Sequence, residues 1–148
     1  MRQPRRLFFY GTLTHHHDNA LTSALLPRLG GRARRGWVPG ALFLVADPLG
    51  VYPVLMPGRG RVWGWVYGGL RPVPRAVIAA FDAWEGSDPR RPGRGEYRRA
   101  DLLVRTPGGP LRAAAYLPNR RSCTGLRRVP GGDFARHAAA RGLRVLAE

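Results

Sequence analysis

Leu7-Phe8-Phe9-Tyr10-Gly11-Thr12-Leu13, near the start of the chain, sets four apolar or aromatic residues against a glycine. Such a run reads as a short buried strand that stops at a tight turn. Working outward, the same vocabulary of short elements and turns recurs. Asp18 or Asn19 is placed to cap a helix running to about Leu29, where Gly30-Gly31 ends it. Ala41–Ala46 and Val51–Leu55 read as strands around the Pro48–Gly50 turn. In Val62–Tyr67, period two puts Val62, Gly64 and Val66 on one face and Trp63, Trp65 and Tyr67 on the other. Ala100–Arg105 and Leu111–Leu117 form a hairpin around Pro107-Gly108-Gly109-Pro110.

The clearest helix lies between these strands. Pro74 suits its first turn, and Gly86 suits the left-handed position just past its end. Val77, Phe81 and Trp84 give it one apolar stripe, and Glu85, four residues after Phe81, falls at the edge of that stripe. A second short helix is expected over Asp133–Arg141. The fold class is therefore α+β: a small, mostly antiparallel barrel or curled sheet with two or three helices, with residues 1–148 as one domain.

Composition narrows the function classes. The chain has 148 residues and no apolar run long enough to span a bilayer, and its N-terminal apolar run is too short for an export signal. Its single cysteine, Cys123, makes no intrachain disulfide, so a cytoplasmic location is the expectation. All 25 basic residues are arginine, against 9 acids, for a formal net charge of +16. Clusters at Arg32–Arg35, Arg90–Arg99 and Arg120–Arg128 could follow a phosphate backbone. They fall in Gly/Pro-rich segments without interleaved aromatics, so solvated surface charge is preferred to a specific nucleic-acid site.

Few residues could carry chemistry. Of three glutamates, Glu96 and the C-terminal Glu148 read as solvated, and Glu85 alone combines a helix end with an apolar face. Glu85 is either a surface carboxylate or a proton shuttle whose pKa is raised by burial. The Tyr10–Leu13 turn is either only a turn or a place where N–H groups grip an anion beside a close-packed Gly11. His15-His16-His17 reads as a flexible polar loop, because three adjacent histidines cannot converge on one ion. No metal and no cofactor is expected. Ser122 and Cys123 have no histidine nearby in sequence, which leaves nucleophilic catalysis without support.

Taken in order, these pieces resemble the gamma-glutamylcyclotransferase-like family. The matching segments are Tyr10-Gly11-Thr12-Leu13 followed by Asn19, Pro39–Phe43, Tyr52-Pro53, the Val62/Gly64/Tyr67 strand, Phe81-Asp82-Ala83-Trp84-Glu85-Gly86, Tyr97-Arg98-Arg99, the strand ending at Tyr116, and Gly132-Asp133-Phe134. No single motif is specific; their shared order and spacing over nearly the whole chain carry the resemblance. It implies a barrel-like fold and an intramolecular reaction in which the α-amine of a γ-glutamyl group attacks its own γ-carbonyl, releasing 5-oxoproline and an amine. It further implies Glu85 as general acid/base, the Gly11–Leu13 amides as the substrate grip, and Tyr97 and Tyr116 as pocket lining. The implied partner is a small γ-glutamyl compound, without membrane or specific nucleic acid, and nothing specifies an oligomeric state. Two departures stand out: Thr14–His17 replaces the Arg/Gly-rich stretch common after the turn, and Trp84 is bulkier than usual. They could change which leaving amine is accepted, or mark a family member without this activity. Two alternatives stay open: a γ-glutamylated biosynthetic intermediate selected by Trp84 and the arginines, and a non-catalytic nucleic-acid-binding module using the arginine clusters.

Overall fold

The computed structural model describes residues 3–15, 17 and 19–146. Among these residues six strands form one mixed sheet: β1 (Arg6–Phe9), β2 (Arg34–Asp47), β3 (Gly50–Gly68), β4 (Tyr97–Thr106), β5 (Gly109–Pro118) and β6 (Arg127–Arg128). Their order is β3-β1-β5-β4-β2-β6, and a further β3–β2 pairing closes the sheet into a barrel. Every pairing is antiparallel except β1 with β5, where Leu7 lies opposite Ala114. Among the described residues three α-helices accompany the barrel: α1 (Ala20–Leu29), α2 (Arg75–Trp84) and α3 (Phe134–Arg141), with a 3₁₀ turn at Pro130–Gly132. The expected α+β barrel is the observed one.

β1 explains its own sequence. It is flanked by β3 and β5 and packed on both faces, so Leu7, Phe8, Phe9 and Tyr10 are all buried. A strand covered on both sides needs an unbroken apolar run rather than alternation. Phe8 and Tyr10 join a core with Val38, Val62, Val66 and Val104, closed by Phe134 and Ala138 of α3. Leu7 and Phe9 join a second core with Leu25 and Leu29 of α1 and Val77 and Phe81 of α2. The alanines Ala113–Ala115 of β5 are buried and short, which leaves room for the β1 aromatics beside them.

The hairpin β2–β3 differs from the sequence reading. Val51–Leu55 and Val62–Tyr67 are parts of one strand, Gly50–Gly68, which pairs with β2 from Asp47↔Gly50 out to Arg34↔Val66. The register shifts once, between Pro39 and Ala41, opposite the Pro57–Gly60 stretch of β3. The helices follow their local signals. Asn19 caps α1, accepting from the Leu21 and Thr22 N–H groups at 2.8 and 3.3 Å (Asp18, the other candidate cap, lies outside the described residues). Gly86 takes φ +61° just beyond α2, and Asp133 caps α3. No helix among the described residues is long and apolar enough to cross a membrane.

Phe81 is fully buried, its ring 5.0 Å from that of Phe9. Phe81→Ala is expected to cost about 3–5 kcal/mol of stability by opening a cavity between α2 and the barrel. Asn19→Ala should cost only about 1 kcal/mol through loss of the cap. Urea unfolding of both variants checks the ranking.

Candidate active site

Where α2 ends, three connections fix the backbone. The Glu85 N–H donates to Phe81 O at 3.0 Å, the Ser87 N–H to Asp82 O at 2.8 Å, and the Glu96 N–H to Gly86 O at 3.1 Å. The last ties the start of β4 to the helix end, so Glu85 and Glu96, eleven positions apart in sequence, come to one place. Below them Asp82 is buried and paired with Arg99, whose Nη1 lies 2.9 and 2.8 Å from the two carboxylate oxygens. The Tyr116 hydroxyl donates to Asp82 Oδ1 at 2.7 Å, and the Tyr10 hydroxyl donates to the Tyr116 carbonyl at 2.6 Å. Helix end, β5 and β1 are thereby held through one buried ion pair and two short hydrogen bonds.

Above this base lies a cavity of about 220 Å³. It is lined by the Tyr10–Leu13 turn, Tyr52 and Pro53 of β3, Trp84 and Glu85, Glu96 and Tyr97, and Tyr116. All seven residues expected from sequence, Tyr10, Gly11, Thr12, Leu13, Glu85, Tyr97 and Tyr116, face this one space. No hydrogen bond among the described residues uses the N–H groups of Gly11, Thr12 or Leu13, and none reaches the Glu85 carboxyl. Burial pushes the Glu85 pKa up from 4.5 to about 8, and the charge of Glu96 adds to the rise. Burial also raises Tyr10, Tyr97 and Tyr116, which stay protonated as neutral donors.

Four findings depart from the sequence reading. Glu96 is exposed, as expected, yet it lines the cavity and accepts a hydrogen bond from the Tyr52 hydroxyl at 3.0 Å. Tyr52 was legible only as half of the Tyr-Pro step; burial, the Glu96 contact and the Asp47 charge push its pKa up to about 12. The close approach that Gly11 permits is first of all that of Pro53, whose Cγ would lie 2.8 Å from a Cβ at position 11. His15 and His17 are packed rather than loose: His15 Nδ1 meets the Tyr67 hydroxyl at 2.7 Å and its ring lies edge-on to Trp65, whereas His17 packs against Phe134. His16 and Glu148 lie outside the described residues. Among the described residues no group of three or more His, Cys, Asp or Glu is placed to hold a metal ion.

The arginines also behave differently from the sequence picture. Arg35 stacks over Trp63 at 4.9 Å and pairs with Asp133 at 2.6 Å, and Arg61 stacks over Trp37 at 4.5 Å. Aromatics do interleave with arginine on the β2–β3 hairpin, because cross-strand pairing juxtaposes residues that are distant in sequence.

Residues 7–136 match the family model described as gamma-glutamyl cyclotransferase, AIG2-like. The gamma-glutamylcyclotransferase family protein YtfP of Escherichia coli K12 is 33% identical over 131 residues, covering 87% of this chain and 95% of that protein. Among solved structures, an AIG2-like protein of Mus musculus superposes with a TM-score of 0.60 at 24% identity, over 89% of this chain and 90% of that one. YkqA of Bacillus subtilis superposes with a TM-score of 0.66 at 21% identity over 94% of this chain, which spans 42% of YkqA. The chain belongs to the gamma-glutamyl cyclotransferase, AIG2-like family, and that membership supports an enzymatic reaction of the γ-glutamyl cyclotransferase type.

Two stability measurements probe this geometry. Because the folded pKa of Glu85 is raised, the folded state keeps a proton that the unfolded chain releases. Stability should therefore fall as pH rises from about 4.5 to about 8 and level off above. Glu85→Gln removes that fall and should gain on the order of 1–3 kcal/mol over the parent at pH 8, discounted for partial exposure, and little at pH 4.5. Gly11→Ala forces Pro53 away and should cost roughly 1–3 kcal/mol. Thermal melts across pH read both.

Proposed function

We propose that the chain, as a member of this family, cyclises a small γ-glutamyl compound to 5-oxoproline and a free amine, with Glu85 as general acid/base. One observation carries the reading: a half-buried carboxyl with no hydrogen-bond partner among the described residues shares a small cavity with three backbone N–H groups that are likewise unused there. The chemistry needs no external nucleophile. Its main requirement is to hold the γ-glutamyl group folded back on itself, where proximity can be worth about 7–11 kcal/mol. Two of the Gly11–Leu13 amides would hold the substrate carboxylate, or the carbonyl oxygen as it gains charge.

The proton inventory then falls to Glu85. Its carboxylate accepts a proton from the substrate ammonium, freeing the amine to attack the γ-carbonyl. The same carboxyl returns that proton to the departing nitrogen as the tetrahedral intermediate collapses, and the second proton lost by the ring nitrogen leaves on the released amine as its ammonium. A pKa of about 8 sits close to that of an α-ammonium group, so neither transfer is strongly uphill. Tyr97 and Tyr116, kept neutral, shape the walls and donate hydrogen bonds rather than protons. A free γ-glutamyl amino acid, dipeptide or amine is the proposed substrate; a γ-glutamylated biosynthetic intermediate is the second reading, favoured by Trp84 at the cavity wall.

Incubating the protein with a panel of γ-glutamyl compounds and detecting 5-oxoproline tests the proposal. Glu85→Gln should lower turnover by about 10²–10⁴-fold while the protein stays folded; near-normal turnover in that variant would remove the mechanism. The kcat/KM profile should rise with pH through about 8 as the free carboxyl ionises. Glu96→Gln, which removes a neighbouring negative charge, should move that rise to lower pH.

A further inference from the structure

A second and larger space opens on the barrel away from Glu85. β2 and β4 are matched at Trp37↔Arg105 only, and β2 then turns to β6, pairing Phe43 with Arg128 and Leu44 with Arg127. β4 continues with β5, so the two halves of the barrel part beyond that single match. The gap is a cleft of about 900 Å³. Leu55, Met56, Leu102 and Leu117 supply its apolar lining, taken as its floor. Leu103, at its edge, is 41% exposed, one of few large apolar side chains left in water.

Four arginines line this cleft, Arg98, Arg105, Arg120 and Arg121, and among the described residues no carboxylate does. Surface arginine is common in a chain with 25 of them, so number alone decides little. The sorting of charge is the stronger observation. Among the described residues the charged groups that line the Glu85 cavity are Asp47, Glu85 and Glu96, whereas those that line the cleft are all arginines. Part of the rim is also fixed in place. Asn119 donates through Nδ2 to the Pro92 and Gly95 carbonyls, both at 2.8 Å, and its Oδ1 accepts from Arg98 Nη1 at 3.3 Å. Arg98 Nη1 also donates to the Pro118 carbonyl at 2.9 Å. An apolar floor with a cationic, partly preorganised rim is complementary to one kind of small molecule.

We infer that the seam cleft between β2 and β4 is a second ligand site, which takes a small amphipathic organic anion. The aliphatic body lies on Leu55, Met56, Leu102 and Leu117, and the carboxylate or other anionic head lies among Arg98, Arg105, Arg120 and Arg121. Each half of such a ligand matches what the cleft exposes: apolar area is removed from water, and arginines meet an anion they can grip bidentately. A cationic amphiphile meets the wrong sign, and a neutral one leaves the arginines unpaired.

Calorimetric titration of the full chain with decanoate, decan-1-ol and decylammonium at neutral pH tests this without reference to catalysis. Decanoate is expected to bind at least about tenfold more tightly than decan-1-ol, with decylammonium weakest. The double variant Arg105→Ala/Arg120→Ala, both exposed positions, should bring decanoate down to the level of decan-1-ol. Leu102→Glu places a carboxylate at the floor and should abolish decanoate binding, with circular dichroism confirming that the chain is folded. Equal binding of the three probes, no decanoate binding, or an unchanged preference in the double arginine variant would overturn the inference. Self-association abolished by Leu102→Glu, in a protein that binds no decanoate, would likewise overturn it by assigning the cleft to a second copy of the chain.

Discussion

The end of α2 must be anchored against the barrel if a carboxyl is to be kept out of water there. Phe81 supplies the apolar part of that anchor, and Asp82 supplies the polar part through Arg99 and Tyr116. A buried ion pair contributes little net stability because desolvation offsets the attraction, but removing one partner is costly. Its value here is positional: Tyr116 and, through its carbonyl, Tyr10 are fixed relative to the helix end. Glu85 rests on that foundation, and its raised pKa follows from being held where solvent is scarce and Glu96 is near.

Local backbone devices do the rest of the placement. Gly86 reverses the chain after α2 in the left-handed region, and its carbonyl receives the Glu96 N–H. Gly11 has no Cβ, which allows the Pro53 ring to close over the first turn. A continuous β2–β3 hairpin carries Tyr52 and Pro53 to the cavity at one end and the Trp37/Trp63/Trp65 surface at the other. Site and scaffold thus share the same strand, and a shift in its register would disturb both.

Electrostatics divides the molecule into unlike regions. The strong positive charge is carried by arginines that stack on indoles, cap carbonyls or remain in water. The cavity that holds Glu85 is by contrast lined by carboxylates, and the charge of Glu96 there favours the protonated Glu85 carboxyl. A protein with a large net charge of one sign can therefore present a site of the other sign, since fields at short range are set by the nearest groups.

Much of the fold was legible because its signals are local. The unbroken apolar run of β1, the Asn19 cap, the Val77/Phe81 stripe and the Gly86 stop each lie within a few residues, and the structure has each where these signals put it. The isolation of Glu85 among three glutamates was legible for the same reason. Only the tertiary structure decided that Glu96, Tyr52 and Asp47 line the same cavity, that Asp82 pairs with Arg99 and Tyr116, and that Arg35 lies over Trp63. Those meetings span up to tens of residues and depend on strand register and barrel closure. A helix or turn is selected by the torsional and apolar preferences of adjacent residues, whereas the company a side chain keeps is selected by which strands pair.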